Sequence, residues 1–363
     1  MRKKQKNIAI LCTLDAFANA IRPMELKKAL EANGHTVTLI SQGKIVAGPT
    51  PPTVQHSNKI FSYITTRLTK IFDSVVNGKL YHYYFLLKLK KNAHHVIPLL
   101  EKSMFDVIII ENHLQAYVMK EVKNVPYILD FDAPLIDELM YSGKINQDSY
   151  KELTRIFTQI YKNATYINFQ WHTYSNYIKE NVYNGDNFVE VNFGCIPKAQ
   201  TLRAKYSAKP KIICLGYLAG KWVNLPLLSR LSKLYDIDVY GGPVPDKKWE
   251  LNYRGYAPST NVLKEYQFGL ITISQDKLRQ SSFSSKHLEY LSFGLPVLTP
   301  DWRKDSILED VSIYYNESNF LSQIEHYSQK KRWKDMSERS YQKAQILSWD
   351  TVLRPLVRLV NEL

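Results

Sequence analysis

The chain has 363 residues, 45% of them hydrophobic and 23% charged, and 48 lysines and arginines against 34 acidic residues leave a formal net charge of +14. That length exceeds one ordinary domain and suits two of roughly 150–200 residues, and the composition is that of a folded chain, not a disordered one. No apolar run approaches the roughly 20 residues needed to span a bilayer.

The N-terminal "MRKKQK" has the charge of a signal peptide, but the apolar "IAILC" behind it is too short and meets Asp15 almost at once, so secretion is not expected. "NIAILCTL" (7–14) reads as a first strand. In "RPMELKKALEANGHTVTLIS" (22–41), Met24, Leu26, Ala29 and Leu30 form a helical stripe, Gly34 stops it and "TVTLI" is the next strand. This βαβ opening predicts a parallel sheet with right-handed crossovers. The loop "TLDAFANAIRP" (13–23) lacks the glycine fingerprint of a dinucleotide site, which argues against NAD or FAD. Its alanines still leave room for a sugar or diphosphate, with Arg22 as the acceptor or phosphate contact.

Residues 59–91 hold seven Lys/Arg against one acid, Asp73, together with seven Phe/Tyr. Ile60, Ile64, Leu68 and Ile71 or Phe72 fall at helical spacing beside the cations, a pattern suited to an anionic membrane surface. Core helices with solvated basic faces are the plainer alternative. Nucleic acid is not expected, since no helix-turn-helix, RRM or zinc pattern accompanies the charge.

"FDVIIIEN" (105–112) and "VPYILDFD" (125–132) are further buried strands with a helical "LQAYVMKEV" between them, and "ATYINFQ" and "NFVEVNFGCIP" add short strands before residue 198. Polar groups at strand C-termini are placed to act on a ligand. Two such sets occur here: "ENH", with His113, and "LDFDAP", with Asp130 and Asp132, which share a face in extended chain and would split their pKa values. An Asx-turn before Pro134 and a strand-end polar contact for His113 are the structural alternatives.

"KAQTLRAKYSAKPK" (198–211) reads as a linker, after which strands and helices alternate again: "KIICLGYL", "LPLLSRLSKL", "DIDVYGG", "QFGLITIS", "KHLEYLSF", "LPVLTP". In "SSFSSKHLEYLSFGLPVLTP" (281–300), Ser285 is the expected N-cap of a helix starting at Lys286. The helix N-terminus and Lys286 suit a phosphate, and Glu289 one turn later can accept hydrogen bonds from the vicinal hydroxyls of a ribose. An exposed i,i+3 ion pair is the plainer reading of Lys286 and Glu289. The last helix, "WDTVLRPLVRLVNEL" (349–363), carries an apolar stripe and a cap at Ser348. Cys12, Cys195 and Cys214 lie in apolar contexts without metal-ligand spacing, as reduced thiols of a cytosolic protein do.

"FSSKHLEYLSFGLPVL" resembles the donor-binding segment of GT-B-fold glycosyltransferases, especially the family 4 (group 1) type. "ALEANGHTVTLI", "VNFGCIP", "KIICLGYLAGKWVNLPLLSRL", "VYGGP", "YRGY" and "SWDTVLRPLVRLV" resemble further pieces of that fold, in order. The resemblance implies an α/β GT-B architecture: two Rossmann-like domains whose parallel sheets face a central cleft, with a C-terminal helix crossing back to the N-domain. The implied acceptor domain is 1–200, with 348–363 packed on it, and the donor domain is 201–347.

The resemblance also gives Glu289 the donor ribose, Lys286 and Ser285 the diphosphate with Lys221, and Gly216 and Tyr256 the remaining donor contacts. Asp132 matches the position near the reacting sugar, with His113 and Asp130 as further catalytic candidates. Two departures stand out: Ser281 replaces the first glutamate of the family signature, and Tyr217 stands where many relatives carry arginine.

The expected activity is transfer of a sugar from a nucleotide-diphosphate donor, UDP- or GDP-linked, to a glycan or lipid-linked acceptor in polysaccharide or glycoconjugate synthesis. It would be retaining and metal-independent and need no cofactor. The expected place is the cytoplasm, peripheral on the inner face of the plasma membrane through residues 59–91. A UDP-sugar 2-epimerase-type isomerase of the same fold, or a non-catalytic nucleotide-sugar or partner-binding relative, is the alternative.

Overall fold

The computed structural model describes residues 5–14, 17–41, 43–46, 78–218 and 223–363. They form two compact units: one of the residues up to Asn192 together with Leu353–Leu363, the other of Phe193–Val352. Each is built around one sheet.

In the first unit β1 (Asn7–Cys12), β2 (Thr36–Ser41), β3 (Lys44–Val46), β4 (Val107–Ile110), β5 (Tyr127–Phe131) and β6 (Tyr166–Phe169) lie in the order β3-β2-β1-β4-β5-β6. All pairings are parallel except the antiparallel β2–β3 edge. The central strands are apolar on both faces: "VIII" and "YILDF" are buried at every position, as strands covered by helices on either side must be. The covering helices follow their apolar periodicity. Gln147–Asn163 starts at Asn146, whose side chain accepts from the Ser149 amide at 3.0 Å, and buries Leu153, Phe157, Ile160 and Tyr161.

The second sheet contains β7 (Ile212–Tyr217), β8 (Ile237–Gly242), β9 (Asn252–Gly255), β10 (Phe268–Leu270), β11 (Val297–Pro300) and β12 (Ser312–Tyr315), ordered β12-β11-β10-β7-β8-β9 and parallel throughout. Both sheets therefore have the doubly wound dinucleotide-fold order, reversing between their first and fourth strands.

The expected C-terminal helix is broken into Trp349–Val352 and Arg354–Glu362. The second piece belongs to the first unit: it buries Leu356, Val357 and Val360, Lys6 Nζ donates to the Val360 carbonyl at 2.8 Å, and His35 meets Asn361 at 3.1 Å.

Two expectations need correction. Residues 198–211 are not a free linker: the Lys198 amide bonds the Ser292 carbonyl at 2.9 Å, the Ala204 amide bonds that of Phe293 at 2.8 Å, and Arg203 pairs with Glu338, because these groups find partners on the second unit's helices. "NFVEVNFGCIP" forms only isolated bridges, Ile167 to Phe188 and Cys195 to Ser348, not a strand. β3 and β12 were not anticipated. Of the basic segment, residues 78–91 open the helix Gly78–Ser103, whereas the stripe expected over residues 60–72 lies outside the described residues.

Candidate functional site

In the first sheet the strand order reverses between β1 and β4, and the loops after these two strands are tied together. Asn112 Nδ2 donates to Thr13 Oγ1 at 2.9 Å, and Gln115 Nε2 donates to the Cys12 carbonyl at 3.2 Å. Beside them, at the end of β5, stand Asp130 and Asp132.

Asp130 is fully buried and receives Arg22 Nε at 2.7 Å, Arg22 Nη2 at 2.8 Å and Asn168 Nδ2 at 2.6 Å. Arg22 also donates to the carbonyls of Asn192 at 2.9 Å and Val191 at 3.3 Å. This two-pronged pair joins the helix Phe17–Ala32 to β5 and to the chain at 191–192. Arg22 was expected to meet an acceptor or phosphate, and Asp130 to act in catalysis; at 2% and 0% exposed, both are committed to each other instead.

Asp132 differs. The residue is exposed one position beyond β5, but protein crowds its carboxyl, which is pushed up to about 6, by desolvation above all and by the charge of Asp130, against hydrogen bonds from its own amide and that of Ala133. It is the one catalytic candidate that reaches the surface.

His113 is a core residue. Its Nε2 meets Tyr161 Oη at 2.9 Å, its ring centroid lies 4.2 Å from that of Phe131 and 5.0 Å from that of Phe157, and burial lowers its pKa to about 3. A neutral imidazole buried in an aromatic cage meets no substrate, so His113 is structural and not catalytic as expected.

The other titratable residue of "ENH", not among the catalytic candidates, is Glu111, 6% exposed at the end of β4. Gln170 Nε2 donates to its Oε2 at 3.0 Å, while its Oε1 is buried without a hydrogen-bond partner. Desolvation first, then the charges of Asp130 and Asp132, raise its carboxyl well above the ordinary range, while Arg22 and Gln170 oppose them. A glutamate with a raised folded-state pKa binds a proton that the unfolded chain releases, so folding stability falls as pH rises above the ordinary value near 4.5. Glu111→Gln should therefore leave stability nearly unchanged at about pH 4 and raise it at neutral pH. Urea denaturation at both pH values tests this; a variant no more stable than the parent at neutral pH would contradict a neutral Glu111.

In the second unit, Gly216 lies near the end of β7, against Gly241. Gly241 has φ +130, and a Cβ there would stand 1.7 Å from the Gly216 oxygen, so only glycine lets the two strand ends approach this closely. A Cβ on Gly242 would meet the Tyr256 hydroxyl at 1.9 Å. Tyr256 and Tyr217 are exposed on this rim. Lys221 lies outside the described residues.

The helix of the signature segment runs Ser285–Ser292, one residue earlier than expected, so Ser284 is the N-cap and Ser285 the first helical residue. Ser284 makes no side-chain bond to the helix. Tyr290 anchors the helix: its hydroxyl accepts from the Leu215 amide at 2.8 Å, and its ring fills the space where a Cβ on Gly269 would lie. That anchor brings the end of β7 beside the helix and turns the preceding residue, Glu289, outward to 20% exposure. There Lys286 Nζ donates to Glu289 Oε2 at 2.6 Å.

Buried cations stand behind the helix start. Arg303 Nε donates to the Ser282 carbonyl at 3.0 Å, Arg279 is 3% exposed, and His287 is lowered to about 3 by burial first and then by the charge of Arg303. The structure thus groups Gly216, Tyr256, Ser285, Lys286 and Glu289 on the carboxyl rim of the second sheet. Among the described residues, no three His, Cys, Asp or Glu side chains are grouped to hold a metal ion.

No protein-family model matches the chain, and no curated protein sequence matches it. Solved structures do. Sucrose-phosphate synthase from Thermosynechococcus elongatus superposes with a TM-score of 0.69 at 12% identity, over 99% of this chain and 99% of that one. Anabaena HepE, in complex with UDP and glucose, superposes at 0.61 with 9% identity over 99% and 100% of the two chains.

The chain has the GT-B fold. The kitacinnamycin glycosyltransferase, with a TM-score of 0.55 and 10% identity over 99% of each chain, shares it. In the GT-B frame the Gly216–Gly241 contact and the helix Ser285–Ser292 both sit at the carboxyl ends of the strands, where open α/β sheets bind their ligands.

Proposed function

We propose that the chain is a glycosyltransferase that takes a nucleotide-diphosphate sugar, UDP- or GDP-linked, and passes the sugar to a glycan or lipid-linked acceptor in polysaccharide or glycoconjugate synthesis. The observation that carries this reading is the pair Lys286–Glu289 at the start of Ser285–Ser292, on the carboxyl rim of a doubly wound sheet. The likeness to HepE, which was crystallised with UDP and glucose, supports the donor class.

In this reading the first amides of the helix and Lys286 take the diphosphate, so that leaving-group charge is met by backbone dipoles and an ammonium without a metal ion. Lys286 turns from Glu289 to the phosphate, and Glu289 accepts the two ribose hydroxyls. Tyr256 offers its exposed ring to the base. Asp132 receives the acceptor hydroxyl. The family 4 resemblance implies retention of configuration, whereas a base at Asp132 acting on the acceptor implies inversion, and the anomer of the product decides between them.

The test is a thermal-shift series with UDP, GDP, ADP and CMP and their sugar conjugates. A ligand of the native state raises the melting temperature by mass action. One nucleoside diphosphate should give a clear shift. Glu289→Ala should weaken its binding about 10–100-fold, the worth of hydrogen bonds to a charged group, with the unliganded melting temperature unchanged. Lack of a shift with every nucleotide, or equal binding by Glu289→Ala, would overturn the reading.

A further inference from the structure

The helix Gly78–Ser103 has two faces of opposite character. Inward it buries His82, Phe85, Leu89, Ala93, Val96 and Leu100. Outward, Leu80, Tyr83 and Leu87 stand 59%, 62% and 66% exposed. At spacings of three and four residues they form one ridge.

Lys90, Lys91 and His94 flank this ridge and are exposed, with Lys79 and Lys88 further round the helix. Between Asp73 and Glu101 the sequence has no acidic residue. Among the described residues, no carboxylate pairs with Lys79, Lys88, Lys90 or Lys91. Glu152, on the neighbouring helix, is held by the inward-facing His82 at 2.9 Å.

An isolated exposed leucine calls for no explanation. Three large apolar side chains on one ridge, among cations that no carboxylate of the described residues neutralises, ask for an occupant that is apolar and anionic together. A second copy docked on the same face would set lysines against lysines. Nucleic acid would satisfy the charge and leave the leucines in water. A bilayer rich in acidic lipid satisfies both: apolar side chains enter the boundary between headgroups and acyl chains, tyrosine suits headgroup depth, and lysine stems reach out to the phosphates.

We propose that the outward face of Gly78–Ser103 lies flat on an anionic membrane surface, with Leu80, Tyr83 and Leu87 inserted and Lys79, Lys90 and Lys91 on acidic headgroups. Among the described residues, no helix is long and apolar enough to cross a membrane, so the contact is a surface one. This inference stands on the helix alone and does not depend on the nucleotide-sugar reading.

The experiment is flotation of the full chain with vesicles of phosphatidylcholine alone and of phosphatidylcholine mixed equally with phosphatidylglycerol, at low and high salt. Binding should require the acidic lipid and weaken with salt. Leu80→Gln, Tyr83→Gln and Leu87→Gln together should reduce binding at least about tenfold. Lys79→Gln, Lys90→Gln and Lys91→Gln should each reduce it about fivefold. Ile346→Gln, at an exposed apolar side chain of the second unit, should change nothing.

Melting curves establish that each variant is folded, and the lysine series carries the test should the ridge variant fail to fold. Absent binding, equal binding to neutral vesicles, or binding insensitive to both series would overturn the proposal. So would sedimentation of the parent as a dimer that the ridge substitutions dissociate, since the face would then join two copies.

Discussion

Asp132→Asn should lower the turnover of sugar transfer by about 10²–10⁴-fold while leaving nucleotide affinity within about twofold, the signature of a lost general base. The amide is nearly isosteric and Asp132 is exposed, so the fold should not suffer. The raised carboxyl supplies a second readout. A base works in its deprotonated form, so with its pKa pushed up to about 6, kcat/KM should be flat above that pH and fall about tenfold per unit below it. The break near pH 6 should vanish in Asp132→Asn. Equal losses of turnover and affinity, or an unchanged pH profile, would mark the aspartate as structural.

The second large effect concerns stability. Arg22→Ala leaves the Asp130 carboxylate fully buried with its two guanidinium contacts gone. Removing one member of such a pair costs about 3–5 kcal/mol, far more than the pair is worth against an apolar replacement. Arg22→Lys should recover part of this loss, because an ammonium replaces the charge but cannot make two parallel bonds to one carboxylate. Asp130→Ala combined with Arg22→Ala should cost less than the sum of the two single changes, since their effects share one interaction. Urea denaturation of all four variants would measure this; a loss under about 1 kcal/mol for Arg22→Ala would contradict the clamp.

Much of the fold was legible because its signals are local. "NIAILC", "VIII" and "IICLGY" are apolar runs of strand length, and the strand–helix alternation repeats on both sides of residue 198. β3 and β12 escaped because a three-residue antiparallel edge and the short "SIYY" carry little pattern of their own. "NFVEVNFGCIP" has strand composition and no sheet edge to pair with beyond single bridges. Composition cannot show which edges are taken.

The grouping of Ser285, Lys286 and Glu289 was legible because they lie within one helix turn or so of each other, where spacing translates directly into geometry. Arg22 and Asp130 could not be read in this way. Their roles depend on a contact across 108 positions, and neither residue's neighbours in the chain announce the other. His113 and Glu111 show the same limit at two residues' distance: both follow β4, one turns into an aromatic cage, and the other keeps an unpartnered oxygen beside two aspartates. Strand position alone does not say which way a side chain turns.

The return of Leu353–Leu363 to the first unit has a consequence for the order of events during synthesis. The second unit is one uninterrupted stretch and can close on itself as it leaves the ribosome. The first unit is made earlier yet must wait for its final helix, a delay on the order of ten seconds or more at ordinary rates of elongation. Through that interval Lys6 and His35 lack Val360 and Asn361, and the surface that Leu356, Val357 and Val360 will cover stays wet. The half of the chain translated first is thus the half completed last.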